Sequence, residues 1–310
     1  HRERLRWCRL KSNPSFLLGS LLVAGGHRMP KAEQREADPR ATVTGVLRWK
    51  QGATVEEPDW LSCEEPLEIR IKGESVAITM RTPGHDEELA LGFLLSEGVI
   101  TGAGDVLEVA HCQQGEAALH GNVLNVFLSP HVEVALTKLK RNVYASSSCC
   151  LCGKASIESV QCLVEPLTVR ERLISVESVV SMPGQMREVQ QTFEITGGLH
   201  AACLFDADGN FLVLREDVGR HNAVDKVLGH ELVSGRLPLE ECALMVSGRA
   251  AFEILQKALA GRVGMICAVS APSSLAVEFA RENGQTLVGF LRGDTFNVYS
   301  HPERIAGLVR

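Results

Sequence analysis

After residue 240 the chain alternates short apolar runs with amphipathic stretches, and that alternation restricts the fold more than any other feature. Residues 242–246, 265–269 and 286–291 are mostly apolar, while 250–260 and 273–282 carry apolar side chains at helical spacing. Strand, helix, strand, helix, strand in this order implies parallel strands joined by right-handed crossovers. The expected fold class is therefore α/β, built on a mostly parallel sheet.

Such a sheet places ligands beyond the carboxyl ends of its strands. Here those ends are Ser247-Gly248-Arg249, Ser270-Ala271-Pro272-Ser273-Ser274 and Arg292-Gly293-Asp294. The first two open helices, whose free N–H groups and dipole favour phosphate. Small residues let backbone approach a ligand, and Arg249 and Arg292 add charge-assisted donors. A phosphate-bearing ligand suits this edge.

Upstream, residues 68–81 alternate around Lys72-Gly73-Glu74 and predict a β-hairpin. A helix is expected from Asp86, with acids in its first turn and Gly98 as its stop. Residues 123–128 predict a strand and 131–141 a helix. A second hairpin is expected over 201–205 and 211–214, then a helix over 221–232. A smaller N-terminal α+β lobe (41–144) and a larger α/β domain (155–310) are thus expected on either side of a cysteine loop at 145–154.

No apolar run reaches the roughly 18–20 residues that span a bilayer, and a net charge of −6 disfavours general nucleic-acid or acidic-membrane affinity. Residues 1–40 differ, with nine Lys/Arg against four acids. They are read as a basic tail or a leader, the apolar run at 16–26 being compatible with a secretory segment. Ten cysteines without a disulfide-like spacing favour a reducing, cytoplasmic setting instead.

Three of those cysteines fall within Ser147-Ser148-Cys149-Cys150-Leu151-Cys152-Gly153-Lys154. A structural zinc site needs four ligands, and no second C-x-x-C or paired-histidine motif accompanies this one. Inert packing suits Cys203, Cys242 and Cys267 in strand patterns, but not a Ser/Gly-rich loop. Thiolate chemistry fits best. C-x-x-C spacing lowers a thiol pKa, so the thiolate can attack a donor persulfide and its neighbour can release the held sulfur by exchange.

This loop resembles the cysteine motif of the formate dehydrogenase accessory sulfurtransferases, the FdhD family. So do Thr82-Pro83-Gly84-His85-Asp86-Glu87-Glu88-Leu89-Ala90-Leu91-Gly92-Phe93, Thr196-Gly197-Gly198-Leu199-His200-Ala201-Ala202 and Glu216-Asp217-Val218-Gly219-Arg220-His221-Asn222-Ala223-Val224-Asp225-Lys226. Ala268 to Ala276 and Gly289 to Gly293 continue the match, which runs from about residue 43 to 305. The resemblance implies a cytidine-deaminase-like main domain and a homodimer. It implies sulfur taken from a cysteine desulfurase as a persulfide on Cys149, with Cys152 as partner. That sulfur would pass to the molybdenum bis(guanine dinucleotide) cofactor, bound as substrate, before insertion into formate dehydrogenase. It assigns cofactor contact to Phe290, Leu291, Arg292, Gly293, Asp294 and Thr295. No permanent metal, nucleic acid or membrane enters. Cys150 stands where the family usually has Gly, which leaves the sulfur route open.

Within the 216–222 segment, Asp217 and Asn222 could cap a helix and Arg220 could pair with Glu216; alternatively Arg220 and His221 face the cofactor or the persulfide. His200 is a weaker candidate of the same kind. Two rival functions use the same residues. A zinc-dependent deaminase-type hydrolase would employ His85-Asp86-Glu87 with Cys149 and Cys152, although Ser148 replaces the proline of that signature. A non-catalytic molybdenum-cofactor chaperone would bind without moving sulfur.

Overall fold

The computed structural model describes residues 38–113, 121–134, 165–168 and 174–308. The cysteine loop at 145–154 lies outside them, as do residues 1–37 and most of the helix expected over 131–141. Residues 131–134 of that stretch are not helical.

The chain opens with a hairpin of β1 (Ala41–Lys50) and β2 (Ala53–Ser62). Gln51 and Gly52, both at positive φ (51° and 87°), make its two-residue turn. A second hairpin, β3 (Glu65–Ile71) and β4 (Glu74–Arg81), turns through Lys72 and Gly73 in the same way. With β5 (Val106–His111) and β6 (Val123–Leu128) it forms a four-stranded sheet of order β4-β3-β6-β5, in which β3 and β6 run parallel. Helix α1 (Asp86–Ser96) follows β4, and Gly98 at φ 69° lies just beyond its end.

Two short strands, β7 (Ile174–Ser175) and β14 (Ile305–Ala306), pair in parallel. Helices α2 (Val176–Val189) and α3 (Gln191–Thr196) then lead into β8 (His200–Phe205) and β9 (Phe211–Asp217). After α4 (Arg220–Val233) come β10 (Ala243–Val246), α5 (Phe252–Ala260), β11 (Met265–Ala268), α6 (Ser274–Glu282), β12 (Thr286–Arg292) and β13 (Thr295–Ser300). These six strands form one sheet of order β13-β12-β11-β10-β8-β9.

The expectation of a mostly parallel sheet is corrected here. Only β10–β11 and β11–β12 pair in parallel; β8–β9, β8–β10 and β12–β13 are antiparallel. For β8–β9 and β12–β13 the reason is connection length, while the antiparallel β8–β10 pairing follows from where β8 docks on the sheet. The turns after Phe205 and Arg292 are too short for a crossover and can join only antiparallel neighbours.

Both faces of this sheet are covered, so its strands read as continuous apolar runs rather than alternating ones. Ala202, Leu204, Leu244, Ile266 and Leu287 face a core shared with α1, α4, α5, α6 and the inner face of the four-stranded sheet. Ala201, Cys203, Phe205, Met245 and Cys267 face a second core under Val179, Met182 and Met186 of α2. Residues on either side of the cysteine loop thus share one core.

The crossing of α1 and α4 shows why. A Cβ on Gly92 would lie 1.8 Å from the Asp225 carbonyl oxygen, and one on Gly229 would lie 1.9 Å from that of Glu88. The two helices run antiparallel with backbones in contact at both points, an approach only glycine permits. No helix among the described residues is long and apolar enough to cross a membrane.

Candidate functional site

A cleft of about 570 Å³ opens where the strand ends were expected to place a ligand. Ser247, Val269, Leu291 and Arg292 line it from β10, β11 and β12; Gly197, Gly198, Leu199 and His200 line it from the start of β8; Pro183, Met186, Arg187, Gln190 and Phe193 come from α2 and α3. Its apolar walls suit a ring system, and its two arginines suit an anion.

Each wall is positioned by an identifiable local cause. Ser247 Oγ accepts from the Ala201 N–H at 2.9 Å and Ser247 N donates to Ala201 O at 3.0 Å, which extends the β8–β10 ladder to the cleft. Arg292 Nε donates to Val269 O at 2.8 Å, so the guanidinium is braced on the end of β11. The Arg187 guanidinium lies 4.7 Å over the Phe193 ring. α3 is held by Glu216, whose buried carboxylate accepts from Thr192 N (3.1 Å) and Phe193 N (2.8 Å). Of the two readings left open for this segment, the pairing of Glu216 with Arg220 is corrected: two helix N–H groups occupy the carboxylate, with Arg40 3.8 Å away.

Of the six residues assigned to cofactor contact, Leu291 and Arg292 line the cleft. They sit in a tight hairpin rather than a loop, with β12 ending at Arg292, Gly293 at φ 55° in the turn and β13 starting at Thr295. Thr295 Oγ1 donates to Arg292 O at 3.2 Å, and Asp294 is exposed. Phe290 is 41% exposed at φ 53°, with its N–H donated to Ser270 O. Ser273 caps α6, accepting from Ala276 N. Cys149 and Cys152 lie outside the described residues.

The segment 216–226 divides into two roles. Asp217, fully buried, is saturated: Oδ1 accepts from Gly219 N and Asn222 Nδ2, and Oδ2 from Thr82 N and the Lys226 ammonium at 2.7 Å. Lys226 also donates to Thr82 O, and Val218 N to Thr82 Oγ1. This knot ties the strand before α1 to the start of α4 and has no chemistry to spare.

Arg220 and His221 face elsewhere. Arg220 Nε and His221 Nε2 are shielded from solvent and have no hydrogen-bond partner among the described residues. Leaving such a group unpaired costs about 1–3 kcal/mol, which is the mark of a position kept for something other than stability. Burial, with Lys257, Arg220 and His200 nearby, pushes the His221 imidazole down to about 3. Burial and the Arg220 charge also lower that of His200. Both rings are neutral at physiological pH.

Two residues of the His85-Asp86-Glu87 triplet of the deaminase reading, His85 and Asp86, make other contacts. His85 Nδ1 lies 3.3 Å from Glu88, which also binds Arg215 and His230, while Asp86 pairs with the buried Arg81. Glu87 is exposed. Sequence reasoning missed the α2–α3 wall entirely. Ser175 as N-cap and buried Val179, Met182 and Met186 at helical spacing signalled α2, but Pro183 inside the helix masked it.

The FdhD/NarQ family model matches residues 62–306. A protein of Streptomyces avermitilis named Sulfur carrier protein FdhD is 49% identical over 272 residues, covering 84% of this chain and 94% of that one. The proteins of that name from Mycobacterium tuberculosis (48% identical, covering 81% of this chain and 93% of the relative) and Saccharolobus solfataricus (42% identical, 84% and 96%) agree. A crystal structure from Desulfotalea psychrophila, described as a formate dehydrogenase accessory protein, superposes with a TM-score of 0.70 at 26% identity, over 86% of this chain and all of its own. With the family's pattern running through both sheets and the cleft, the chain belongs to the FdhD/NarQ family.

Proposed function

We propose that this protein is a sulfur carrier in formate dehydrogenase maturation, acting in the cytoplasm as a homodimer. The observation that carries this reading is the identity of 49% across 94% of a relative named Sulfur carrier protein FdhD. The Cys149 thiolate attacks the terminal sulfur of a cysteine desulfurase persulfide. One S–S bond forms on Cys149 as another breaks, and the desulfurase thiolate leaves. The Cys149 S–S bond would then break, Cys149 leaving as the thiolate, and the outer sulfur would pass to the molybdenum bis(guanine dinucleotide) cofactor, bound as substrate, before the cofactor enters formate dehydrogenase. The two electrons that bring the sulfur to the sulfide level would come from the reduced cofactor. Cys152 can clear an undelivered sulfur as hydrosulfide by forming a disulfide with Cys149, which a thiol reductant reopens.

The cleft supports the cofactor half of this reading. Its volume and apolar walls suit a guanine, and Arg187 and Arg292 suit phosphates. Cyanolysis after incubation with desulfurase and cysteine tests the carrier half, since only a persulfide yields thiocyanate. Thiocyanate from the wild type and none from Cys149→Ala is the expected result. Equal yields from both would remove Cys149, and none from either would leave a cofactor chaperone that moves no sulfur.

A further inference from the structure

Gly248, at the end of β10, sits between His200 and Arg220. A Cβ there would be 3.5 Å from His200 Nδ1 and 3.8 Å from Arg220 Cδ. His221, next to Arg220 in the first turn of α4, holds a buried, unpartnered Nε2 and lies close enough to Arg220 and His200 to feel both, and Arg220 holds a buried, unpartnered Nε. His200 also lines the strand-end cleft. Three nitrogen-bearing side chains thus lie near one another, His200 on the cleft wall and the other two with buried hydrogen-bonding capacity that the described residues do not use.

The charge beside this group is one-sided. Asp217 is close enough to influence His200, but its oxygens are taken by Lys226, Thr82 N, Gly219 N and Asn222. Lys257 is neutralised by Asp225. What remains is the Arg220 guanidinium with two imidazoles that burial and cationic neighbours keep neutral. A cation would be repelled, whereas an oxyanion would find one full charge and several directed N–H donors.

We propose that His200, Arg220 and His221 form an oxyanion subsite beside the strand-end cleft, and that it takes a phosphoryl group of the nucleotide held there. The assignment deepens the reading of the cleft as a nucleotide site and rests on it. Arg292 and Leu291 serve one part of the nucleotide, and the Arg220 cluster holds a phosphate at the β8–β10 side.

Calorimetry on the full chain tests this with inorganic pyrophosphate, GDP and guanosine. Arg220→Gln should weaken pyrophosphate and GDP at least tenfold and leave guanosine unchanged. Gly248→Ala is the second variant. Its Cβ meets only ordinary contacts, so the fold survives, yet its methyl narrows the gap between His200 and Arg220 and should weaken the same two ligands. Wild-type affinity for pyrophosphate in both variants would overturn the subsite, as would a wild type that binds neither pyrophosphate nor GDP. Sulfur loading measured on the same samples separates the two ideas. A wild type that binds pyrophosphate through Arg220 but never loads sulfur contradicts the carrier reading and supports the subsite.

Discussion

Lys226 donates to Asp217 at 2.7 Å, and both side chains are essentially excluded from solvent. The pair links α4 to the end of β9 and, through Thr82, to the strand before α1. Burial, with Arg81 nearby, pulls the Lys226 ammonium below its usual pKa, and Asp217 and Asp86 offset part of that fall. Removing one partner leaves an uncompensated buried charge, which costs about 3–5 kcal/mol. Asp217→Asn and Lys226→Met should each lose stability on that scale in urea unfolding, and the double variant should lose less than the two together. Additive losses would mean the pair is not coupled.

The α1–α4 crossing gives a sharper test. Gly92→Ala and Gly229→Ala place a methyl into facing backbone, which neither helix can relieve without moving apart. Overpacking in a close-packed interior costs about 1–3 kcal/mol or more, and these sites should exceed that range or yield insoluble protein. A loss under about 0.5 kcal/mol in either would contradict the close approach.

The neutral histidines set the acid limb of stability. A buried His whose folded pKa is depressed takes a proton in the unfolded chain before it does in the folded one. His221 therefore favours folding fully above its unfolded pKa of about 6.5, and that contribution drains away as pH falls toward about 3. His200 acts in the same direction. Glu88, held well below the usual carboxylate range against the burial cost by Arg215, His85 and His230, stabilises above its unfolded pKa and is lost only at lower pH. Between pH 6.5 and 5 stability in urea should fall, with a slope from His221 approaching about 1.4 kcal/mol per pH unit and His200 adding in the same direction. His221→Phe should flatten it; an unchanged slope would show that His221 is not buried neutral.

Arg292 is braced by Val269 O through Nε, which leaves its terminal nitrogens for a ligand. A charge-assisted hydrogen bond is worth about 1.5–3 kcal/mol, so Arg292→Ala should weaken GDP about ten- to a hundredfold in calorimetry. Persulfide loading should persist in that variant. Unchanged GDP affinity would remove β12 from the site.

The alternation after residue 240 placed β10, α5, β11, α6 and β12 to within two residues, because strands covered on both faces are uniformly apolar and their helices are not. The strand-end location of the cleft followed from that order alone. What the sequence concealed has physical causes. The β1–β2 hairpin is largely exposed, so burial imposes no period on it. The α2 wall was hidden by Pro183. The antiparallel β8–β10 pairing depends on which strand neighbours β10, a tertiary choice that local pattern does not encode. The packing roles of Gly92, Gly229, Asp217 and Lys226 were likewise unreadable, since each acts on residues more than a hundred positions away or on facing backbone.

Cys150→Gly, which puts at this position the residue the resemblance implies, should leave sulfur transfer intact and slow oxidative inactivation, because an adjacent thiol is a competing exchange partner. Formate dehydrogenase activity in cells carrying each variant reads this out. Loss of activity would make Cys150 part of the route.

Peptide-level mass spectrometry after incubation with desulfurase and cysteine tests the central claim most directly. The account predicts a gain of one sulfur mass on the peptide bearing Cys149, retained in Cys152→Ala and absent in Cys149→Ala. Desulfurase-dependent sulfur on the Cys149→Ala protein would contradict it.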